Sequence, residues 1–143
     1  MASRLIAAGH AVSVYNRSPE RATPFPGLGA HVAGSPRAAA ERADIIIGMS
    51  ANDESSRSIW LGEYGALAAE NLPDALVIEC STLSHDWVME LAESVRQRGF
   101  RYVDAPVTGL PDGAASGTLT LLVGAAPPDL DAARRIFVWL VTR

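Results

Sequence analysis

The chain has 143 residues, the size of one ordinary domain. Its 48% hydrophobic and 20% charged content is that of a folded globular protein. The formal net charge of −4 gives no electrostatic footprint for nucleic acid or for an anionic membrane. No apolar run approaches the roughly 20 residues that span a bilayer, and the start has no charged segment leading into an apolar core, as a secretory signal would. The single cysteine, Cys80, leaves no intramolecular disulfide and no cysteine-cluster metal site, so a cytoplasmic setting is expected. All 12 basic residues are Arg. These residues therefore supply no Schiff base, no lysine general acid and no P-loop lysine.

In chain order, residues 2–8 read as a short helix stopped by Gly9, and residues 11–15 alternate as a strand. Asn16-Arg17-Ser18-Pro19 reads as a turn into a short helix, capped by Ser18 and broken by Pro24 and Pro26. Residues 30–33 suit a brief strand, and Ser35-Pro36 starts a helix reaching about Arg42. The run 44–49, with three consecutive Ile, predicts a strand buried on both faces. Two helical pieces follow, 52–61 and 63–70, split by Gly62, and then a second buried strand at 75–80. Trp87, Val88, Leu91, Ala92 and Val95 form the apolar stripe of a helix over 85–98. A third strand at 102–105 ends at Pro106, a Gly-rich loop fills 108–117, a further strand lies at 118–123, and Pro127-Pro128 opens a last helix. Strands alternating with helices predict right-handed crossovers and a doubly wound parallel α/β sheet.

In such a sheet ligands bind outside the carboxyl ends of the strands. Four clusters fall there: Asn16-Arg17-Ser18, the Met49-Ser50-Ala51-Asn52 loop, Ser81-Thr82, and Val107-Thr108-Gly109. An Arg at the end of an early strand accommodates a nucleotide 2′-phosphate, where an acidic residue would bind the free 2′-hydroxyl. Asn16-Arg17-Ser18-Pro19 also makes an ordinary turn and helix cap. His10, His31 and His85 have no metal-ligand spacing, so no metal is expected. Cys80 reads as a packed thiol rather than a nucleophile, and Asp104 as a loop cap or a pocket wall. Gly27-Leu28-Gly29 has neither the preceding strand nor the following long helix of a dinucleotide fingerprint.

Taken in order, these segments resemble the β-hydroxyacid dehydrogenase family, which includes 3-hydroxyisobutyrate dehydrogenase and tartronate semialdehyde reductase. The carrying stretches are residues 8–17, 43–47 and 79–82. The most specific is Asp104-Ala105-Pro106-Val107-Thr108-Gly109, followed by residues 115–124. The resemblance implies the cofactor domain of that family over residues 1–136, with 137–143 as an apolar tail unlike the family. It implies that Asn16, Arg17 and Ser18 favour NADP over NAD, and that Met49, Ser50 and Ala51 touch the cofactor. Ser50 and Ala51 stand where the family has Leu-Pro, so backbone contact alone carries over. Thr82 corresponds to a threonine beside the nicotinamide. Thr108 and Gly109 correspond to the Ser-Gly of the substrate loop, with Leu110 where a second Gly is usual.

Two departures shape the expectation. The family's first strand and its Gly-x-Gly-x-x-Gly turn are missing, since Met1 and Ala2 align within the following helix. So is the helical domain that carries the family's lysine general acid. The expected fold is thus an incomplete Rossmann-type sheet. The expected function is NADP binding in a 3-hydroxyacid dehydrogenase-like oxidoreductase, weak or inactive by itself, with no catalytic residue assigned. Its substrate would be a small 3-hydroxy acid or the corresponding aldehyde. The alternative is a non-catalytic interaction module docking through an exposed sheet edge, with self-association as its simplest form.

Overall fold

Short runs of Ile, Val and Leu between Gly and Pro punctuation fold into the strands of an α/β sheet. A computed structural model describes residues 1–70 and 73–141. It contains α1 (Ala2–Ala7), β1 (Ser13–Val14), β2 (His31–Val32), α2 (Pro36–Ala40), β3 (Ile45–Gly48), α3 (Asp53–Leu61), β4 (Leu76–Glu79), α4 (His85–Gln97), β5 (Arg101–Asp104), β6 (Val107–Thr108), α5 (Pro111–Ser116), β7 (Thr120–Leu121), β8 (Gly124–Ala125) and α6 (Pro127–Leu140). The main sheet has the order β3-β4-β5-β8. Its first three strands are parallel, with Ile47 opposite Ile78 and Ile78 opposite Val103.

Alternation along these strands builds a core on each face. Val77 and Tyr102 meet Trp60 of α3 and Trp87, Leu91 and Val95 of α4. Leu76, Ile78 and Val103 meet Leu5 of α1 and Ala133, Ile136 and Phe137 of α6. Helices thus cover both faces, the doubly wound arrangement the sequence predicts. α6 runs on to Leu140, and Phe137 and Leu140 pack into the core. Residues 137–140 therefore continue the helix, while Thr142 and Arg143 of the expected tail lie outside the described residues. Among the described residues no helix is long and apolar enough to cross a membrane.

Several local expectations need correction. Residues 63–70 hold only a 3-10 turn at Ala66–Ala68, because the chain folds back tightly where the Gly65 amide donates to the Gly62 carbonyl. The segment from Ser18 makes a 3-10 turn (Pro19–Arg21) rather than a helix, and the Ser18 side chain does not cap it. The Gly-rich loop contains α5, with Pro111 in its first turn and Gly117 in the left-handed conformation at its end. The strand expected at 118–123 is only the two-residue β7, and a separate strand, β8, follows it. β7 pairs antiparallel with β6, and β8 pairs antiparallel with β5, so the parallel order ends in an antiparallel edge.

The first two strands stand apart. Among the described residues β1 pairs only with β2, and β3 only with β4, so each keeps one open edge. A cavity of about 1070 Å³ is lined by both, with Val12, Val14 and Tyr15 on one side and Ile45, Ile46 and Ile47 on the other. The family resemblance implies a strand at this place. The opening leaves the three Ile of β3 half-buried, whereas all four residues of β4 are buried.

Candidate functional site

The carboxyl ends of β3, β4 and β5 lie side by side because the strands are parallel and in register, Gly48 opposite Glu79 and Glu79 opposite Asp104. Of the strand-end residues read from the sequence, Asn16, Met49, Val107 and Gly109 line the cavity. Arg17, Ser18, Ser50, Ala51, Thr82 and Thr108 stand outside its lining.

At the end of β1 the Asn16 side chain accepts the Ser18 amide at 2.9 Å, an Asx turn, so Asn16 shapes the loop. Arg17 is exposed, and its guanidinium makes no ion pair or hydrogen bond among the described residues. After β3, Met49 is 57% exposed. The loop then passes through Ser50 to Asn52, which caps α3 by accepting the Ser55 amide at 2.9 Å. After β4, Ser81 is buried and Thr82 exposed. The Ser50 amide donates to Ser81 Oγ at 2.6 Å, tying the two loops together. After β5, the Val107 amide donates to the Cys80 carbonyl at 3.2 Å, which brings the start of the Thr108-Gly109 loop against β4. Gly109 has φ +136°, and a Cβ there would lie 2.6 Å from Leu119 Cδ2, so only glycine makes this turn.

Sequence reasoning missed the polar group under these loops. Glu79 is fully buried, although it follows Leu76-Val77-Ile78 in the middle of the sheet. Its Oε2 accepts Ser56 Oγ at 2.8 Å and Trp60 Nε1 at 2.7 Å. Its Oε1 accepts the Ser81 amide at 2.9 Å and Ser81 Oγ at 2.6 Å. The available signal was a carboxylate closing an otherwise apolar strand, since a buried charge needs partners.

Burial, and then the negative charges of Glu79 and Asp104, push the Cys80 thiol up to about 12. Cys80 is accordingly a packed thiol and no nucleophile at neutral pH. Burial first, and Glu79 second, raises the Asp104 carboxyl above the usual carboxylate range. Asp104 Oδ1 makes no hydrogen bond among the described residues, so it caps no loop there. Burial also raises the Tyr102 hydroxyl, with Asp104 and Glu79 adding to it.

The family model of the NAD binding domain of 6-phosphogluconate dehydrogenase matches residues 1–140. The NAD-dependent L-serine dehydrogenase of Pseudomonas aeruginosa is 35% identical over 137 residues, which are 96% of this chain and 46% of that protein. The 3-hydroxyisobutyrate dehydrogenase of the same organism is 33% identical over 136 residues, 95% of this chain and 45% of that protein. The chain thus spans about half the length of these relatives. A solved structure of Mycobacterium tuberculosis 3-hydroxyisobutyrate dehydrogenase with L-serine superposes with a TM-score of 0.91 at 30% identity, over 99% of this chain and 47% of that one.

Proposed function

Since this chain belongs to the family of the NAD-binding domain of 6-phosphogluconate dehydrogenase, within the β-hydroxyacid dehydrogenases, we propose that it binds NADP in preference to NAD across the carboxyl ends of its strands. The observation that carries this reading is Arg17: an exposed guanidinium with no ion pair, just past the end of β1, on a loop whose Asn16 lines the cavity. Such a group forks onto a 2′-phosphate, and an Asp at that place would repel it. Ser18, one residue on, adds a hydroxyl donor.

The residues present fit a dinucleotide at its two ends. Arg17 and Ser18 would hold the 2′-phosphate, and the exposed Thr82 hydroxyl would face the nicotinamide. The Met49, Ser50 and Ala51 backbone would contact the stretch between. The bound cofactor would supply the hydride exchanged with the substrate. The chain's part is to hold and orient it, with Thr108 and Gly109 bordering a small 3-hydroxy acid or its aldehyde. A general acid or base contributes about 10²–10⁴-fold. No Lys is present in these residues to serve as one, so the 143 residues by themselves bind cofactor with weak turnover or none.

Calorimetry of the chain with NADP and with NAD tests this reading. NADP is expected to bind more tightly, and Arg17→Asp to reverse the order. The lost charge-assisted hydrogen bonds, about 1.5–3 kcal/mol, correspond to roughly 10–100-fold in NADP affinity. Tighter NAD than NADP binding by the parent chain refutes the proposal. A second reading, an interaction module docking through a sheet edge, is favoured by the open edges of β1 and β3. The melting temperature separates the two, because a dinucleotide at about 100 times its Kd stabilises a binding domain by about 2.7 kcal/mol and leaves a non-binding one unmoved.

A further inference from the structure

We propose that Glu79 is a positioning residue, its carboxylate setting the Ser81 hydroxyl so that the loop after β3 is held at Ser50 in the conformation that receives the dinucleotide. This rests on reading the strand ends as the dinucleotide site.

A carboxylate only accepts hydrogen bonds, and all four of these contacts have a donor to give. Ser56 and Trp60, one turn apart on α3, meet Oε2 at 2.8 and 2.7 Å. The amide and hydroxyl of Ser81 meet Oε1 at 2.9 and 2.6 Å. The one hydroxyl proton of Ser81 therefore points to Glu79. Its oxygen is left as an acceptor, and the Ser50 amide fills that role at 2.6 Å. Ser50 Oγ lies 3.1 Å from the same oxygen and 3.4 Å from the Asn52 carbonyl, and its one proton is shared between these two acceptors. The carboxylate thus sets the direction of the chain from Glu79 through the Ser81 hydroxyl to the Ser50 amide.

The chemistry is specific to a carboxylate. Two of the four donors, Trp60 Nε1 and the Ser81 amide, are N–H groups that cannot reverse, and they sit on different oxygens. A glutamine amide would turn its own N–H₂ toward one of them. An apolar residue would suit a buried strand end better if the only task were packing. The carboxylate instead joins α3, the end of β4 and the loops at Ser50 and Ser81, and it holds the backbone next to Thr82.

The test uses the whole chain and Ser81→Ala, which leaves Glu79 its bonds to Ser56, Trp60 and the Ser81 amide and removes the hydroxyl that joins Glu79 to Ser50. Hydrogen exchange of the Ser50 amide, followed by NMR, is expected to quicken at least tenfold while the amides of β4 and β5 keep their rates. The NADP dissociation constant, measured by calorimetry, is expected to rise about tenfold. Glu79→Gln should produce the same two changes, and the double variant should be no worse at Ser50 than Ser81→Ala alone. A carboxylate that only supported the core would add its effect to that of Ser81→Ala. Unchanged Ser50 exchange in Ser81→Ala overturns the proposal, as does an unchanged NADP dissociation constant. If the parent binds no dinucleotide, the proposed function fails, and Ser50 exchange alone decides whether Glu79 positions the loop.

Discussion

Gly48, the last residue of β3, has no room for a side chain. A Cβ there would lie 2.5 Å from Trp60 Cζ2, 3.0 Å from Cε2 and 3.2 Å from Nε1, where carbon atoms normally sit about 3.5–4.0 Å apart. Gly48→Ala must therefore push the indole by about an ångström. Trp60 is 1% exposed and packed among Ala40, Ala66 and Leu67, and overpacking of that kind costs about 1–3 kcal/mol. The same shift draws Nε1 away from Glu79 Oε2, now 2.7 Å distant, and a hydrogen bond to a charged group contributes about 1.5–3 kcal/mol. Together the loss should be about 2.5–6 kcal/mol, a large part of the 5–15 kcal/mol that usually holds a domain (about 0.05–0.15 kcal/mol per residue). Urea unfolding of parent and variant measures it. In a Trp60→Phe background the atoms that Cβ would meet are gone, so Gly48→Ala should then cost under about 1 kcal/mol, a coupling of the size seen for residues in contact. A cost below about 1 kcal/mol with Trp60 in place, or the same cost in both backgrounds, would refute the reasoning.

Two further outcomes follow from the core and the open edges. Cys80 titrates near 9 when unfolded and at about 12 when folded. Below pH 9 both states keep the proton and its contribution is complete; as pH rises from 9 through 12 the unfolded state alone loses it, and stability falls by up to about 4 kcal/mol. Cys80→Ala should flatten that alkaline slope, with the remainder due to Tyr102, whose pKa is also raised; an unchanged slope would show that the thiol is not the cause. Finally, β1 and β3 each present an unpaired edge on one cavity, so the chain should self-associate as concentration rises. Sedimentation that shows a monomer at every concentration would mean that these edges do not pair with other chains.

The sequence by itself determined the central part of the sheet. The Leu-Val-Ile run at 76–78 is buried on both faces as its pattern predicts, while the three Ile at 45–47 form the expected strand and are left half-buried by its open edge. The stripe of α4 and the strand-end positions of Asn16, Ser50 and Thr82 were legible for the same reason: they depend on local period and punctuation. Segment 108–125 was not, because its division into β6, α5, β7 and β8 depends on an antiparallel partner for each strand, β7 for β6 and β5 for β8. Nor was the polar group at Glu79. Its four donors come from positions 56, 60 and 81, and no periodicity relates them. Only the packing of α3 against the end of β4 brings them to one carboxylate, and only that packing explains why Gly48 must lack a side chain.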